Sequence, residues 1–163
     1  MPDTNELLQR HQWSGTSASS VRPPPSGPTR VAIVTCMDAR VDPVRIFGMQ
    51  PGDAHVIRNA GGAVTDDAIR SLALSQRLLG TSEIVVMHHT DCAMQKFDEG
   101  ELKSQLEADT GVPVPFAFES FTDVEDDVRA SIARVHASPW LVHKDSVRGF
   151  VYDVDTGRLR PVD

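Results

Sequence analysis

The sequence has little of several features that would define a protein class on their own. Its 163 residues include only two cysteines, and at this length a chain buries about 70% of its unfolded surface, so no disulfide scaffold is expected. Aromatic residues make up only 6%, and no apolar run approaches the roughly 18 residues that suggest a transmembrane helix. Lysine and arginine total 16 against 23 aspartate and glutamate residues, a formal net charge of −7. Because phosphate binding needs a basic face, we expect no nucleic acid as a partner. Because no apolar run is long enough to span a bilayer, we expect no membrane as a partner either.

The chain also starts without the features of a secretory signal. The segment Met1–Glu6 has neither the basic start nor the apolar core of a signal peptide, so we expect a cytoplasmic protein. In a reducing compartment, two cysteines bind metal or take part in chemistry more often than they form a disulfide. The count alone leaves three interpretations of Cys36 and Cys92 open: a metal site, a redox dithiol, and two buried apolar residues.

Composition divides the chain into two parts. Residues Asn5–Gln12 could form a short helix, and Ser14–Thr29 is rich in proline, serine and glycine, which predicts an extended arm. We therefore interpret residues 1–29 as an N-terminal helix and arm. Residues 30–163 are predicted to form one α/β domain, which contains both cysteines.

Hydrophobic patterning in the second part predicts an α/β fold. Two apolar runs without alternation, Val31–Thr35 and Glu83–His89, indicate strands buried on both faces of a parallel sheet, and Ala54–Arg58 is a third strand candidate. We expect a mainly parallel central β-sheet, with about four parallel strands plus an antiparallel edge strand, flanked by helices. Four helices are predicted to begin at the capping residues Asp42, Thr65, Asp98 and Asp123. The last two strands are predicted to form a hairpin from Val147–Val154 and Arg158–Val162.

Three residues of metal-binding types follow or end these strands. Cys36 follows the first strand directly, His89 ends the third, and Cys92 comes three residues later. Ligands gather beyond the carboxyl ends of strands in an open α/β sheet, so the three side chains meet if the two strands are adjacent. Two thiolates and an imidazole suit zinc, and three protein ligands leave the fourth position open, as in catalytic sites.

Two segments of this region resemble the zinc-binding motifs of the β-class carbonic anhydrases. They are Cys36-Met37-Asp38-Ala39-Arg40 and His89-Thr90-Asp91-Cys92, and the segments Arg58–Gly61 and Arg148–Asp153 are also similar to that family. The resemblance implies that Cys36, His89 and Cys92 bind one zinc ion per chain. It also implies that Asp38 and Arg40 form a catalytic dyad.

The implied activity is the reversible hydration of carbon dioxide to bicarbonate and a proton. Zinc-bound hydroxide would attack carbon dioxide, with Asp38 orienting the hydroxide and Arg40 holding that carboxylate off the metal. Two thiolates and a neutral imidazole bring the zinc site to zero net charge, so we expect hydration to improve on the alkaline side. The resemblance further implies a homodimer or tetramer, with the N-terminal arm packed on a neighbouring subunit.

Other functions compatible with the same residues are hydrolysis of carbonyl sulfide or carbon disulfide, and a non-catalytic zinc-binding or regulatory module. Three neighbours of the motif carry their own predictions. His88 is expected to point to the opposite face from His89 in a structural role. Asp91 either orients a ligand or caps a helix. Ala93, where the family often has glycine, predicts a slightly different loop backbone.

Overall fold

The computed structural model describes residue 4 and residues 29–163. The predicted helix at Asn5–Gln12 and the predicted arm, apart from Thr29, lie outside the described residues. Five strands of the described part form one sheet: β1 Val31–Cys36, β2 Ala54–Asn59, β3 Glu83–His89, β4 Val147–Tyr152 and β5 Leu159–Val162.

The sheet confirms the predicted fold class. Its order is β2-β1-β3-β4-β5, with β1 parallel to β2 and β3, β3 parallel to β4, and β5 antiparallel to β4. The lack of alternation in the β1 and β3 sequences has the expected cause, because these strands lie inside the sheet and are mostly buried on both faces.

The described residues form four helices, α1 Pro43–Phe47, α2 Asp66–Leu79, α3 Glu99–Thr110 and α4 Val124–Ala137, of which α2 and α4 pack against the sheet. Each predicted cap is present, since the side chains of Asp42, Thr65, Asp98 and Asp123 all accept hydrogen bonds from backbone N–H groups of the first turn. Among the described residues, no helix is long and apolar enough to cross a membrane.

Close packing of α4 on β4 explains a glycine inside that strand. A Cβ atom at Gly149 would lie 2.6 Å from Val128 Cγ1 and 2.7 Å from Ile132 Cδ1. Val128 and Val135 of the same helix are fully buried against the sheet. The helical spacing of these apolar residues therefore reflects the core and not a binding surface.

Four strand boundaries differ from the sequence prediction, and the end of β2 at Asn59 and the start of β5 at Leu159 each differ by a single residue. β1 runs one residue further and includes Cys36, because its pairing with β2 continues to Asn59. β4 stops at Tyr152 and not at Val154, because the Asp153 carboxylate accepts hydrogen bonds from the next turn and ends the strand.

The strand order also determines where ligands can bind. The chain passes from β1 to β2 on one side and returns to β3 on the other, so β1 and β3 flank the point where the order reverses. Loops after two such strands diverge and leave a crevice at the carboxyl edge of the sheet. Cys36 and His89 are the last residues of these two strands.

Candidate active site

The three predicted metal ligands come together at this crevice. One potential ligand atom from each of Cys36, His89 and Cys92 lies within 4.8 Å of the others. All three residues are buried, with exposures of 4%, 0% and 1%. The parallel pairing of β1 and β3 brings the first two together, and the tight turn after β3 returns Cys92 to them.

The His89 ring has one nitrogen free for a metal. Its Nδ1–H donates to the Thr90 carbonyl oxygen over 2.8 Å, which fixes the ring orientation and leaves the lone pair on Nε2. Nε2 is buried and has no hydrogen-bond partner among the described residues. A buried polar atom without a partner is costly, and coordination of a metal ion by this atom would remove that cost.

The Cys36 thiol is surrounded by groups that favour its ionised form. The neighbouring Cys92 side chain lowers the pKa of the Cys36 thiol against the opposing influence of burial, and His89 and the Asp38 backbone N–H, which donates to Cys36 Sγ over 3.4 Å, add to the effect. The thiolate is the form that binds metals. Two sulfur donors with one imidazole nitrogen suit a divalent ion of borderline softness, so the three residues fit such an ion.

Asp38 and Arg40 form a fork beside the ligands. Arg40 Nε and Nη2 donate to the two Asp38 carboxylate oxygens over 3.0 and 2.8 Å, and the Arg40 backbone N–H adds a bond of 2.9 Å. These bonds hold the pKa of the Asp38 carboxyl well below its usual range. Asp38 Oδ2 lies 3.9 Å from His89 Nε2, so the carboxylate borders the candidate metal position.

Asp91 contacts the other side of Arg40. Its carboxylate accepts from Arg40 Nη1 over 2.7 Å and also pairs with Lys96. It caps no helix, because the short 3-10 turn Ala93–Gln95 begins at Cys92 without a side-chain cap. Of the two predicted roles for Asp91, capping is wrong.

The loop after β2 that contains Gly61 and Gly62, here called the glycine loop, packs against the Cys36 segment. Gly62 has φ +81°, and a Cβ atom there would lie 2.9 Å from the Cys36 nitrogen and 3.1 Å from His88 Cδ2. Arg58 donates to the carbonyl oxygens of Cys36 and Asp38 over 3.0 and 2.8 Å. The backbone that carries the candidate ligand and carboxylate is therefore held from outside the motif.

A small cavity of about 200 Å³ opens onto the site. Its wall is mostly apolar, and the Asp38 carboxylate is the charged group in its lining. Behind Cys36 and Cys92, an apolar cluster includes Phe97, Phe118 and Phe121. The cavity lining is Cys36, Met37, Asp38, Ala60, Gly61, Cys92, Ala93 and Met94. The volume and wall suit a small substrate of low polarity.

His88 lies on the other face of β3, as the strand alternation predicts. It is fully buried, its Nε2–H donates to the Gly62 carbonyl oxygen over 3.1 Å, and its ring stacks on Phe121 at a centroid distance of 6.1 Å. Its Nδ1 lies 3.0 Å from Asp127 Oδ2, an approach that is close but not aligned for a hydrogen bond. His88 thus contacts α4 and the glycine loop.

Comparison with known proteins identifies the family. A model of the carbonic anhydrase family matches residues 31–110. The β-carbonic anhydrase 1 of Mycobacterium tuberculosis is 50% identical over 141 residues, which are 86% of this chain and 86% of that protein. The crystal structure of the Streptococcus mutans carbonic anhydrase matches with a TM-score of 0.87 at 45% identity, covering 100% of this chain and 99% of that one. The chain belongs to the β-carbonic anhydrase family.

Family membership confirms the resemblance and the expectation that the chain is a carbonic anhydrase enzyme. The family also has relatives with another activity in their names. The carbon disulfide hydrolase of Saccharolobus solfataricus is 37% identical over 155 residues, covering 80% of this chain and 76% of that protein. The alternative noted from the sequence is therefore represented among the relatives.

The departure at Ala93 does not require a backbone that only glycine adopts. Among the described non-glycine residues, positive φ angles occur at Asp91 and Glu119, and Ala93 is not among them. Ala93 instead opens the 3-10 turn. Alanine therefore suits this position, and the loop of this β-carbonic anhydrase turns at Asp91.

Sequence reasoning missed the residues that hold the motif in place. Arg58 is predicted as a strand residue and as part of a similar segment but not as a support for the motif, although the parallel register pairs it with Thr35, next to Cys36. The Arg40–Asp91–Lys96 contacts join residues up to 51 positions apart, and no local pattern marks them. Strand register is the signal that could have found Arg58.

Proposed function

We propose that this protein is a zinc-dependent carbonic anhydrase that interconverts carbon dioxide with bicarbonate and a proton. The observation that carries the proposal is the buried His89 Nε2, which has no hydrogen-bond partner in the described part of the chain and faces two thiols beside the Asp38 carboxylate. Three donors, with no fourth metal-binding side chain among the described residues, favour a catalytic over a structural zinc site.

Cys36, His89 and Cys92 would hold the zinc ion. When bound, zinc supplies a Lewis acid that lowers the pKa of a water molecule in the open coordination position. The two thiolates and the neutral imidazole carry a total charge of −2, which cancels the charge of the ion. We therefore expect hydration to be faster on the alkaline side of neutrality.

Asp38 would act as a hydrogen-bond acceptor that orients the attacking oxygen. Its pKa is held low by Arg40, so the carboxylate remains ionised and can only accept. The planar guanidinium binds both carboxylate oxygens and would keep them from coordinating the metal ion. The mostly apolar cavity wall would admit carbon dioxide while displacing little water.

Stopped-flow hydration of carbon dioxide on metal-analysed protein, between about pH 7 and 9, tests this proposal. We expect one zinc per chain, turnover that rises with pH, and a loss of about 100-fold or more in kcat for Asp38→Ala with zinc retained. Asp67→Ala is the matched control, since Asp67 forms an exposed ion pair with Arg70 over 2.7 Å and belongs to neither motif. Full zinc without turnover would instead support a zinc-binding or regulatory module, and absence of zinc would contradict the metal site.

Hydrolysis of carbon disulfide or carbonyl sulfide is the second candidate, favoured by the 37% identity to a carbon disulfide hydrolase. The same protein sample, supplied with each sulfur compound, should release little hydrogen sulfide compared with its rate of carbon dioxide hydration. Hydrogen sulfide release faster than carbon dioxide hydration would reverse the assignment.

Assembly and location are also proposed from the family. We expect a homodimer or tetramer, which analytical ultracentrifugation of the full chain would measure. A sedimenting species of about 18 kDa alone, the mass of one chain, would contradict this expectation. A cytoplasmic location stays a prediction.

A further inference from the structure

Arg40 lies between two carboxylates, although the proposed mechanism uses only one of them. Nε and Nη2 face Asp38, whereas Nη1 donates to Asp91 Oδ2 over 2.7 Å and Nη2 also donates to the Asp91 carbonyl oxygen over 3.0 Å. Every nitrogen of the guanidinium therefore has an acceptor on an acidic residue. The contact with Asp91 spans 51 positions and ties the β1 loop to the β3 loop.

Asp91 is itself held in place. Its backbone has φ +57°, in the left-handed region that aspartate tolerates better than most residues, and its carboxylate also pairs with Lys96. It lies in the turn between His89 and Cys92, so the position of its carboxylate is coupled to the two candidate ligands of that turn. Asp38, Arg40, Asp91 and Lys96 form a row of alternating charges with zero sum.

We propose that Asp91 is a positioning residue, which fixes the Arg40 guanidinium so that Arg40 in turn fixes Asp38 beside the candidate metal site. The inference rests on the proposed function for its catalytic consequence. A carboxylate oxygen 3.9 Å from His89 Nε2 needs only a small rotation to approach a metal held by that atom. Asp91 limits this rotation because Arg40, bound by both carboxylates, cannot move together with the Asp38 side chain.

Exposure separates this role from ordinary stabilisation. The side chains of Arg40 and Asp91 are 47% and 48% exposed, and exposed ion pairs contribute little to stability. Loss of the Asp91 carboxylate should therefore hardly change the unfolding temperature. A positioning role requires that the order of Arg40 and the value of kcat change nonetheless.

The main test variant is Asp91→Gly, because glycine accepts the positive φ and removes only the side chain. We expect kcat to fall about 10-fold with KM nearly unchanged, as for other residues that orient catalytic groups. The thermal midpoint should move by less than about 2 °C. Asp91→Asn keeps an acceptor oxygen and should restore part of the lost kcat. The control Asp67→Gly removes an exposed carboxylate that also pairs with an arginine, and should leave kcat unchanged.

A second readout follows Arg40 itself and needs no turnover. In the 15N NMR spectrum, the Arg40 Nε–H signal, assigned with Arg40→Lys, should have a high order parameter in the wild type and fall below about 0.6 in Asp91→Gly. An unchanged Arg40 order parameter, or a kcat equal to that of the control variant, would overturn the proposal. If Asp91→Gly failed to fold, Asp91→Ala, which also removes the carboxylate, would decide through the same two readouts.

The two readouts also separate this inference from the proposed function. A wild type that hydrates no carbon dioxide would contradict the proposed function, while the NMR comparison would still decide whether Asp91 orders Arg40. A wild type that hydrates carbon dioxide, with Arg40 equally ordered in both proteins, would leave the proposed function standing and overturn the role of Asp91.

Discussion

Two adjacent histidines of β3 show how one residue type takes two roles within one strand. Both His88 and His89 are fully buried, and they point to opposite faces of the sheet. Each ring has one nitrogen without a hydrogen-bond partner among the described residues, but the surroundings differ. His89 Nε2 lies near two thiols, whereas His88 Nδ1 lies 3.0 Å from an Asp127 oxygen and the other His88 nitrogen donates to Gly62. Burial and type are equal, so the neighbouring groups distinguish a candidate ligand from a structural residue.

Replacing the two histidines one at a time should give the largest difference in zinc binding and activity. His89→Ala removes a proposed zinc ligand, so we expect zinc affinity and carbon dioxide hydration to fall by more than about 100-fold. His88→Ala should keep one zinc per chain. Metal analysis after dialysis and stopped-flow hydration measure both outcomes. Equal zinc loss in the two variants would contradict the division of roles.

Gly62 lies against both the Cys36 backbone and the His88 ring, so a substitution there should change zinc binding and stability together. A Cβ at this position would lie 2.9 Å from the Cys36 nitrogen and 3.1 Å from His88 Cδ2, and φ is +81°. We expect Gly62→Ala to destabilise the protein by about 1–3 kcal/mol and to weaken zinc binding, because the strained loop pushes on the Cys36 backbone. Urea unfolding and a zinc competition titration test this. Gly111→Ala also changes a glycine of positive φ but has no atom within 4 Å of the added carbon, so it should destabilise without affecting zinc.

The His88 side should respond in stability and not in zinc content. His88→Gln removes the ring that lies between Gly62 and Asp127, and we expect a loss of about 1–3 kcal/mol in the free energy of unfolding. Urea denaturation measures this loss, and metal analysis should still give one zinc per chain. Unchanged stability would show that the partners of His88 contribute nothing measurable.

The smallest effect is expected at Asp127. Its carboxylate approaches His88 Nδ1 without an aligned hydrogen bond, so Asp127→Asn should cost about 1 kcal/mol or less. The same denaturation experiment measures this variant. A cost larger than that of His88→Gln would mean that Asp127 has a role beyond its contact with this ring.

Much of the fold could be predicted because local chemistry and global packing agree. The unalternating runs of β1 and β3 reflect burial on both faces, and the caps at Thr65 and Asp123 sit where their helices begin. The candidate ligands could be predicted because parallel strands deliver their last residues to one edge. The end of β4 could not, since it depends on the turn hydrogen bonds of Asp153.

The surroundings of the candidate site were harder to predict than the site itself. The contacts of Arg58 with the Cys36 loop and of Asp91 with Arg40 depend on strand register and on one backbone angle, φ +57° at Asp91. Neither follows from hydrophobic periodicity. The sequence left orienting and capping roles open for Asp91, and its contact with Arg40 became evident only when the two loops were placed together.

X-ray absorption at the zinc edge, on protein whose metal content has been measured, tests the central claim most directly. The account predicts one zinc per chain, bound by two sulfur atoms at about 2.3 Å, one imidazole nitrogen at about 2.0 Å and a fourth light atom. The same four neighbours are expected in the wild type and in Asp38→Ala. Zinc that is absent from fully folded wild type, or zinc that remains bound with the same two sulfur atoms and imidazole in His89→Ala, would contradict it.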